Sequence, residues 1–368
     1  MKTRTKGGTV AEVLRKIDLP DQNFSVHQEK TLRALSYCRT SALGGHIDAC
    51  DGCGNLSISY NSCRNRHCPQ CQGHKKEEWI QKREQDLLPC NYYHLVFTLP
   101  QELNGLAIAN PTLTYKTLFE AAWATLNQFG KTEGMQLGMI AILHTWGQNL
   151  SLHPHLHCIV PGGGIDHHGK WKKKVRTDKY LFSVKAMSKV FRAKFVASLK
   201  ACGIKDADLM EKLFAKSWVV YAKRPFGGPK QVIEYLGRYT HKVAISNHRI
   251  KEVTDQQVRF AYKDYRKGGE KKEMTLSNVE FVRRFSLHIL PKRFVRIRHY
   301  GILSSSWKRG KLQGLQESLK VERSVFVPQT MLRKCRCCKE GNLVTIAAFG
   351  QRGPPQDFLF VTQPSSAK

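Results

Sequence analysis

Six of the 12 cysteines in this chain of 368 residues lie close together, between Cys38 and Cys71. They include two CxxC pairs, Cys50 with Cys53 and Cys68 with Cys71. Each pair can present two thiolates to one edge of a tetrahedron, which is the geometry of a structural zinc site. A thioredoxin-like redox site needs one such pair and leaves the other unexplained. The spacing therefore predicts a small N-terminal zinc-knuckle domain in which these four cysteines bind Zn²⁺.

The same stretch holds four further potential ligands: Cys38, His46, Cys63 and His67. They could form a second zinc site. Alternatively, Cys38 is a core cysteine, and His46 and His67 contact phosphate. The sequence leaves this choice open. Near the C-terminus, Cys335, Cys337 and Cys338 look like half of a knuckle whose partner cysteines are absent. No zinc site is predicted there.

A histidine-rich strand is the most informative segment of the chain. Residues 152–160 read Leu-His-Pro-His-Leu-His-Cys-Ile-Val, and residues two apart on a strand share a face. His155 and His157 therefore form half of a site for a divalent cation, Mg²⁺ or Mn²⁺. The candidates for a third ligand are His153, Gln148 and His144. The alternative is an exposed histidine-rich loop or hydrogen-bonded core histidines.

A pair of tyrosines follows a turn rich in proline and glycine. Tyr235 and Tyr239 are four residues apart, so on a helix over 230–241 they share one face. Two phenols directed at one metal ion could each attack a phosphate and hold it covalently. By itself the spacing equally fits two tyrosines that pack against a sheet. The argument for nucleophiles comes from the histidine strand upstream.

The charge of the chain indicates a polyanionic partner. Sixty Lys and Arg residues against 29 Asp and Glu give a net charge of +31, which opposes compactness unless a polyanion such as DNA is bound. The residues expected to contact DNA lie around the knuckles and the tyrosine pair. The alternative for most of them is a basic face that contacts only solvent. They are Arg64, Arg66, Lys223, Arg224, Lys230, Arg238 and Lys242.

The hydrophobic pattern favours a mixed α+β protein without a membrane span. No apolar run reaches the roughly 18 residues that a span needs, so we expect a cytoplasmic, nucleoid-associated bacterial protein. Strands are predicted at 92–99, 139–144, 151–160 and 217–222, and two more within 243–264. Helices are predicted within 9–36 and at 75–88, 112–129, 185–200 and 279–287. The expected domains are 1–88 with zinc, 89–305 with the histidines and tyrosines, and 306–368 as a tail.

Three motifs in this order closely resemble bacterial insertion-sequence transposases of the two-tyrosine HUH class. They are the cysteines of 50–71, His-Pro-His-Leu-His-Cys-Ile-Val at 153–160, and Tyr-Leu-Gly-Arg-Tyr-Thr-His at 235–241. The resemblance implies an HUH-type central antiparallel sheet flanked by helices, with the histidine pair on its middle strand. It implies rolling-circle-type transposition through single-stranded DNA. It also implies that His155 and His157 bind metal and that Tyr235 and Tyr239 form a 5′-phosphotyrosine.

Two other functions remain to be separated from this one. A plasmid or phage replication initiator, or a relaxase, would use the same nicking chemistry, and an element end flanking the gene would distinguish them. A non-catalytic zinc protein that regulates by binding DNA belongs to a different class. That reading leaves the histidine strand and the tyrosine pair unexplained.

Overall fold

The computed structural model describes residues 8–20, 22–173, 181–222, 231–232, 237, 240–321, 333–356 and 358. The helices are α1 (Val10–Leu14), α2 (Val26–Ser36), α3 (Gln72–Glu84), α4 (Asn104–Ala109), α5 (Pro111–Thr132), α6 (Val184–Ala201), α7 (Ala207–Ala215), α8 (Asn278–Ser286), α9 (Ser305–Lys308) and α10 (Lys311–Ser318). The strands are β1 (Gly45–Cys50), β2 (Leu56–Tyr60), β3 (Tyr92–Thr98), β4 (Gly138–Trp146), β5 (Leu152–Pro161), β6 (Gly163–Ile165), β7 (Trp171–Lys173), β8 (Val220–Ala222), β9 (Ile250–Val253), β10 (Gln257–Asp264), β11 (Glu270–Ser277), β12 (Ile297–Gly301) and β13 (Leu343–Phe349).

A five-stranded antiparallel sheet forms the centre of the molecule. Its strand order is β12-β4-β5-β3-β8, so the histidine-bearing strand β5 is the middle strand. The α+β class and the central antiparallel sheet that the sequence predicts are confirmed. The predicted strands 92–99, 139–144 and 151–160 correspond to β3, β4 and β5, with ends that shift by at most two residues.

One face of this sheet carries the largest apolar core. Alternation along the strands directs residues such as Phe97, Leu143 and Leu156 to this face. Helices α5 and α6 cover it, and Phe191 of α6 contacts Phe97 with ring centroids 5.0 Å apart. Because this face is filled with apolar side chains, polar chemistry is confined to the opposite face.

The opposite face carries the histidines and a smaller apolar cluster. Tyr92, Ile142 and Ile159 pack there with Val232, and Trp79 and Ile80 of α3 pack against them. A second core joins α1, α2, α8 and the sheet β11-β10-β9 to the end of β4 at Trp146.

The two strands predicted within 243–264 correspond to β9 and β10, and the sheet β11-β10-β9 adds a third strand that the sequence did not predict. Its strands span residues 250 to 277, and β10 and β11 pair over eight residues. The turn between them contains Gly268 and Gly269, both at positive φ. In the sequence pattern these glycines mark the end of the strand region, whereas in the structure they allow the turn between β10 and β11. The charged strand β11 has no apolar run that would have marked it.

A small three-stranded sheet, β13-β1-β2, joins the two ends of the described chain. Strand β1 pairs with β13 from Gly45 opposite Phe349 to Cys50 opposite Leu343. Strand β13 belongs to the segment 306–368, which the sequence assigns to a tail, and it completes the sheet of the cysteine-rich region. No described helix is long and apolar enough to cross a membrane.

Candidate functional site

Three histidines meet on the open face of the central sheet. His155 and His157 come from β5, and His144 lies on β4 directly opposite His155. Their ring centroids are 4.6 to 5.5 Å apart, and one ring nitrogen of each lies within 4.8 Å of the others. Three imidazoles in such an arrangement can coordinate one metal ion.

Hydrogen bonds fix the orientation of two of these rings. The Nδ1–H of His155 donates to the carbonyl oxygen of His153 at 2.7 Å, which leaves the Nε2 lone pair of His155 for a metal ion. His157 Nδ1 and His94 Nε2 lie 2.9 Å apart, so this contact fixes the orientation of the His157 ring. Partners on the second nitrogen are the usual device that orients a metal-binding histidine.

The surroundings favour neutral imidazoles. Burial lowers the pKa of His155 to about 4, and burial together with the neighbouring His144 holds the pKa of His157 well below its usual value. A neutral ring is the form that binds metal. The charge of Lys242 acts on both rings in the same direction, so a cationic group lies near them.

Of the three candidates for a third ligand, His144 lies in the cluster, whereas His153 does not. An extra residue in β5 interrupts its register with β4, because His155 faces His144 while Leu152 faces Trp146. His153 lies in this bulge with an exposed side chain, so the strict alternation assumed from the sequence does not hold there. Its carbonyl oxygen accepts from His155, and its ring lies 5.2 Å from the His155 ring, but His153 is not one of the three clustered histidines. Gln148 lies in the turn between β4 and β5, and its role as a ligand stays a prediction.

The feature that could have identified His144 in the sequence is its position on the strand next to β5. It stacks on Trp146 with ring centroids 4.4 Å apart. The sequence named it only as one candidate, because a single histidine in an apolar strand is usually a core residue. The antiparallel register, which sequence alone does not provide, brings it opposite His155.

The predicted nucleophiles Tyr235 and Tyr239 lie outside the described residues, as do Lys223, Arg224, Lys230 and Arg238. Described residues of the same segment contact the histidine-bearing side of the sheet. Val232 packs against Ile142 and Ile159, which flank His157. At Gly237 an added Cβ would lie 2.3 Å from Ile80 Cδ1, so this position packs closely against α3.

Four cysteines form one compact cluster beside α3. Cys38, Cys63, Cys68 and Cys71 bring their sulfur atoms within 4.8 Å of one another, with individual separations of 3.2 to 3.6 Å. Such a set fits a tetrahedral structural zinc site. Two of the predicted second-site cysteines are therefore ligand candidates here, together with the second CxxC pair.

The first CxxC pair belongs to a different cluster. Cys50 and Cys53 meet Cys335 and Cys338, and the pairs are 282 to 288 residues apart in the chain. The expected single site made from both N-terminal CxxC pairs is thus replaced by two clusters. The partners that appeared to be absent from the C-terminal cysteines are supplied by the pairing of β13 with β1. Backbone N–H groups of Gly341 and Glu340 lower the pKa of the Cys338 thiol to about 6, which favours the thiolate.

The other predicted residues of this region have separate roles. His46 lies 3.3 Å from the carboxylate of Asp48, and burial lowers the pKa of His67 to about 3. Neither belongs to a cysteine cluster. Arg66 donates to the carbonyl oxygens of Pro291 and Phe294, so it holds the fold together, whereas the side chain of Arg64 is exposed.

Comparisons with known proteins agree with this arrangement. The family model described as a putative transposase matches residues 138–311, and the model of a transposase zinc-binding domain matches residues 10–99. The first contains the three clustered histidines, and the second contains the cluster of Cys38, Cys63, Cys68 and Cys71. The match defines a transposase with an N-terminal zinc-binding region.

Two relatives extend the likeness over most of the chain. A putative transposase of Sinorhizobium fredii is 39% identical over 95% of this chain and 98% of its own length. The transposase for insertion sequence element IS801 of Pseudomonas savastanoi pv. phaseolicola is 30% identical over 79% of this chain and 74% of its own length. No solved structure matches. The chain belongs to the IS91/IS801 family of insertion-sequence transposases.

Proposed function

We propose that this transposase nicks and rejoins single-stranded DNA at the ends of an insertion sequence, through a 5′-phosphotyrosine, in rolling-circle-type transposition. The observation that carries the proposal is the cluster of His155 and His157 on the middle strand of the sheet with His144 on the neighbouring strand β4. A metal-dependent nuclease holds the scissile phosphate at its metal ion. The described histidines supply neutral ligands at such a site.

The donor set fits a divalent cation. The pKa values of His155 and His157 are lowered, so both imidazoles remain neutral at pH 7, and both are oriented by hydrogen bonds on their other nitrogen. A divalent cation held there would polarise the scissile phosphate. Because imidazole is a softer ligand than carboxylate, this donor set favours Mn²⁺ over Mg²⁺.

Cationic side chains beside the histidines suit a phosphate backbone. Lys242 and Arg249 lie close enough for the charge of Arg249 to lower the pKa of Lys242, after the effect of burial. Arg249 also donates to the carbonyl oxygens of Ala261 and Gln148, which holds its guanidinium in place. Fixed positive charge at this position would attract the DNA backbone and stabilise negative charge that develops on the phosphate.

The nucleophiles in this proposal are Tyr235 and Tyr239. Support comes from the packing of Val232 and Gly237 on the histidine side of the sheet. The phenol oxygen attacks phosphorus and loses its proton, the bond to the 3′ oxygen breaks, and that oxygen takes up a proton. The DNA 5′ end stays on the tyrosine, which conserves the bond energy for rejoining.

Both relatives are named as transposases, which favours transposition over a replication initiator, a relaxase or a regulator. Zinc in the N-terminal region is structural in this account, and the chain would act in the bacterial cytoplasm with DNA as its partner.

A cleavage assay tests the proposal. Single-stranded DNA from the flanks of the gene should be nicked by metal-depleted protein after Mn²⁺ is added, and Mg²⁺ should require a higher concentration. The double variant H155A/H157A should retain most of its DNA affinity, which comes mainly from phosphate contacts, and should lose cleavage. Cleavage by this double variant at the wild-type rate would refute the metal-dependent mechanism.

A further inference from the structure

We infer that Cys50, Cys53, Cys335 and Cys338 bind a second structural zinc ion, which fastens the C-terminal strand β13 to the N-terminal cysteine-rich region. The family model for the zinc-binding domain ends at residue 99 and therefore excludes half of these ligands. The inference rests on the cysteine geometry and is independent of the proposed DNA chemistry.

The sulfur positions match a tetrahedral zinc site. Cys50 Sγ lies 3.7 Å from Cys338 Sγ, and Cys53 Sγ lies 3.8 Å from Cys335 Sγ. A regular tetrahedron with Zn–S bonds of about 2.3 Å has edges of about 3.8 Å. A disulfide requires about 2.05 Å between the sulfurs, and all four cysteines are free thiols.

In both halves of the site, backbone N–H groups are directed at cysteine sulfur atoms. In the first, the N–H groups of Gly52 and Cys53 donate to Cys50 Sγ at 3.4 Å. In the second, the N–H of Cys337 donates to Cys335 Sγ at 3.4 Å and that of Gly341 to Cys338 Sγ at 3.3 Å. Backbone donors directed at sulfur stabilise the thiolate, which is the form that binds metal.

Both knuckles also end on a residue in the left-handed region. Gly54 has a φ of 67° and Lys339 a φ of 65°, and their N–H groups donate to the carbonyl oxygens of Cys50 and Cys335 respectively. Glycine adopts this conformation without penalty, whereas the side chain of a lysine makes it unfavourable. The surrounding structure must therefore impose the turn, and metal ligation on its N-terminal side would do so.

The small sheet β13-β1-β2 buries too few apolar side chains to be stable without a further link between its strands. Of its side chains Ile47 is fully buried, whereas Val344 and Ile346 of β13 are 50% and 52% exposed. Polar contacts link the strands further: Asn342 N–H donates to Asp51 at 2.7 Å and Thr345 Oγ1 to Asp48 at 2.7 Å. Three short strands with so little buried apolar surface are marginally stable alone, and metal ligation commonly supplies the missing free energy.

Close packing at the junction is consistent with a fixed contact. A Cβ added at Gly341 would lie 2.4 Å from Cys50 Sγ, so the C-terminal backbone approaches this sulfur as closely as a glycine permits. This junction also brings Lys334 and Arg336 beside Arg39 along a groove of ≈ 590 Å³.

The test counts zinc in full-length protein purified without chelator. Wild type should hold two zinc ions per chain, and zinc X-ray absorption should show only sulfur ligands at about 2.3 Å. The double variant C335S/C338S should hold one ion, and its C-terminal segment should be cleaved by a protease faster than in wild type. C337S is the matched control, because this exposed cysteine lies between the two ligands and belongs to neither cluster. It should keep both ions.

Two results would overturn the inference. One is a single zinc ion in wild type, and the other is two ions in C335S/C338S. If the double variant lost both ions by unfolding, the wild-type stoichiometry and its ligand shell would still decide, because two all-sulfur sites require eight cysteine ligands.

Discussion

At the scale of single residues, the histidine cluster separates side chains that the sequence pattern treats alike. His153, His155 and His157 are evenly spaced, yet the first lies in the bulge of β5 and outside the histidine cluster, whereas the strand pairing brings His144 into it. Spacing along one strand could predict the pair on the middle strand. It could not predict the third histidine of the cluster, because that depends on the register between strands.

A matched pair of variants tests this assignment. His144→Ala should lower the cleavage rate at a fixed low Mn²⁺ concentration by at least about 100-fold, because it removes a metal ligand. His153→Ala should stay within a few-fold of wild type, since its backbone carbonyl remains. Cleavage rates across a Mn²⁺ titration give the comparison. Equal losses in both variants would mean that the ring of His153 is also required.

At the scale of the elements, apolar alternation predicted the secondary structure that surrounds the core. Strand β3 and helices α5, α6 and α8 agree with the predicted segments to within three residues at each end. Their buried side chains recur at the regular spacing of a strand or helix, so the sequence pattern alone indicates these elements. Strand β11 and helix α7 were missed, because β11 is charged on both faces and α7 is short.

The junction between β4 and α8 makes stability depend on pH. The buried His288 accepts from Thr145 Oγ1 at Nδ1 and donates to Leu150 O from Nε2, each at 3.2 Å. Burial lowers its pKa to about 4. The unfolded chain therefore binds this proton more readily, and the contribution is complete above about pH 6.5 and is lost as the pH falls towards 4.

Replacement of His288 should flatten this dependence. Between pH 7 and pH 5 the free energy of unfolding of wild type should fall by about 2 kcal/mol more than that of His288→Gln, at 1.36 kcal/mol per pKa unit. Urea unfolding followed by tryptophan fluorescence at several pH values provides the measurement. Parallel pH curves for the two proteins would show that this histidine does not titrate on unfolding.

At the scale of the whole molecule, the two cysteine clusters show what local patterns leave out. The sequence correctly indicates zinc in the N-terminal region, because CxxC pairs are a local signal. It does not show which pairs share a site. Cys50 meets Cys338 across 288 residues, and only the formation of the small sheet brings them together.

The net charge of +31 leads to a prediction about DNA affinity as a function of salt. Each phosphate contact to single-stranded DNA contributes about −0.7 to the slope of log K against log salt. Replacing the exposed Arg64 by Gln should make the slope shallower by about 0.7 if it contacts phosphate. Arg283→Gln is the control, because Arg283 already pairs with Glu280 at 2.6 Å. Fluorescence anisotropy at several salt concentrations gives both slopes, and identical slopes for Arg64→Gln and wild type would exclude this contact.

The central claim is that a tyrosine of this chain becomes covalently linked to the 5′ end of cut DNA. The most direct measurement is adduct formation with end-labelled single-stranded DNA and Mn²⁺, followed by peptide mapping. We expect the label on Tyr235 or Tyr239, a block of complete transposition in each single Phe variant, and no adduct in the double variant Y235F/Y239F. A label on another tyrosine, such as Tyr221 or Tyr262, or an undiminished adduct in the double variant, would contradict the account.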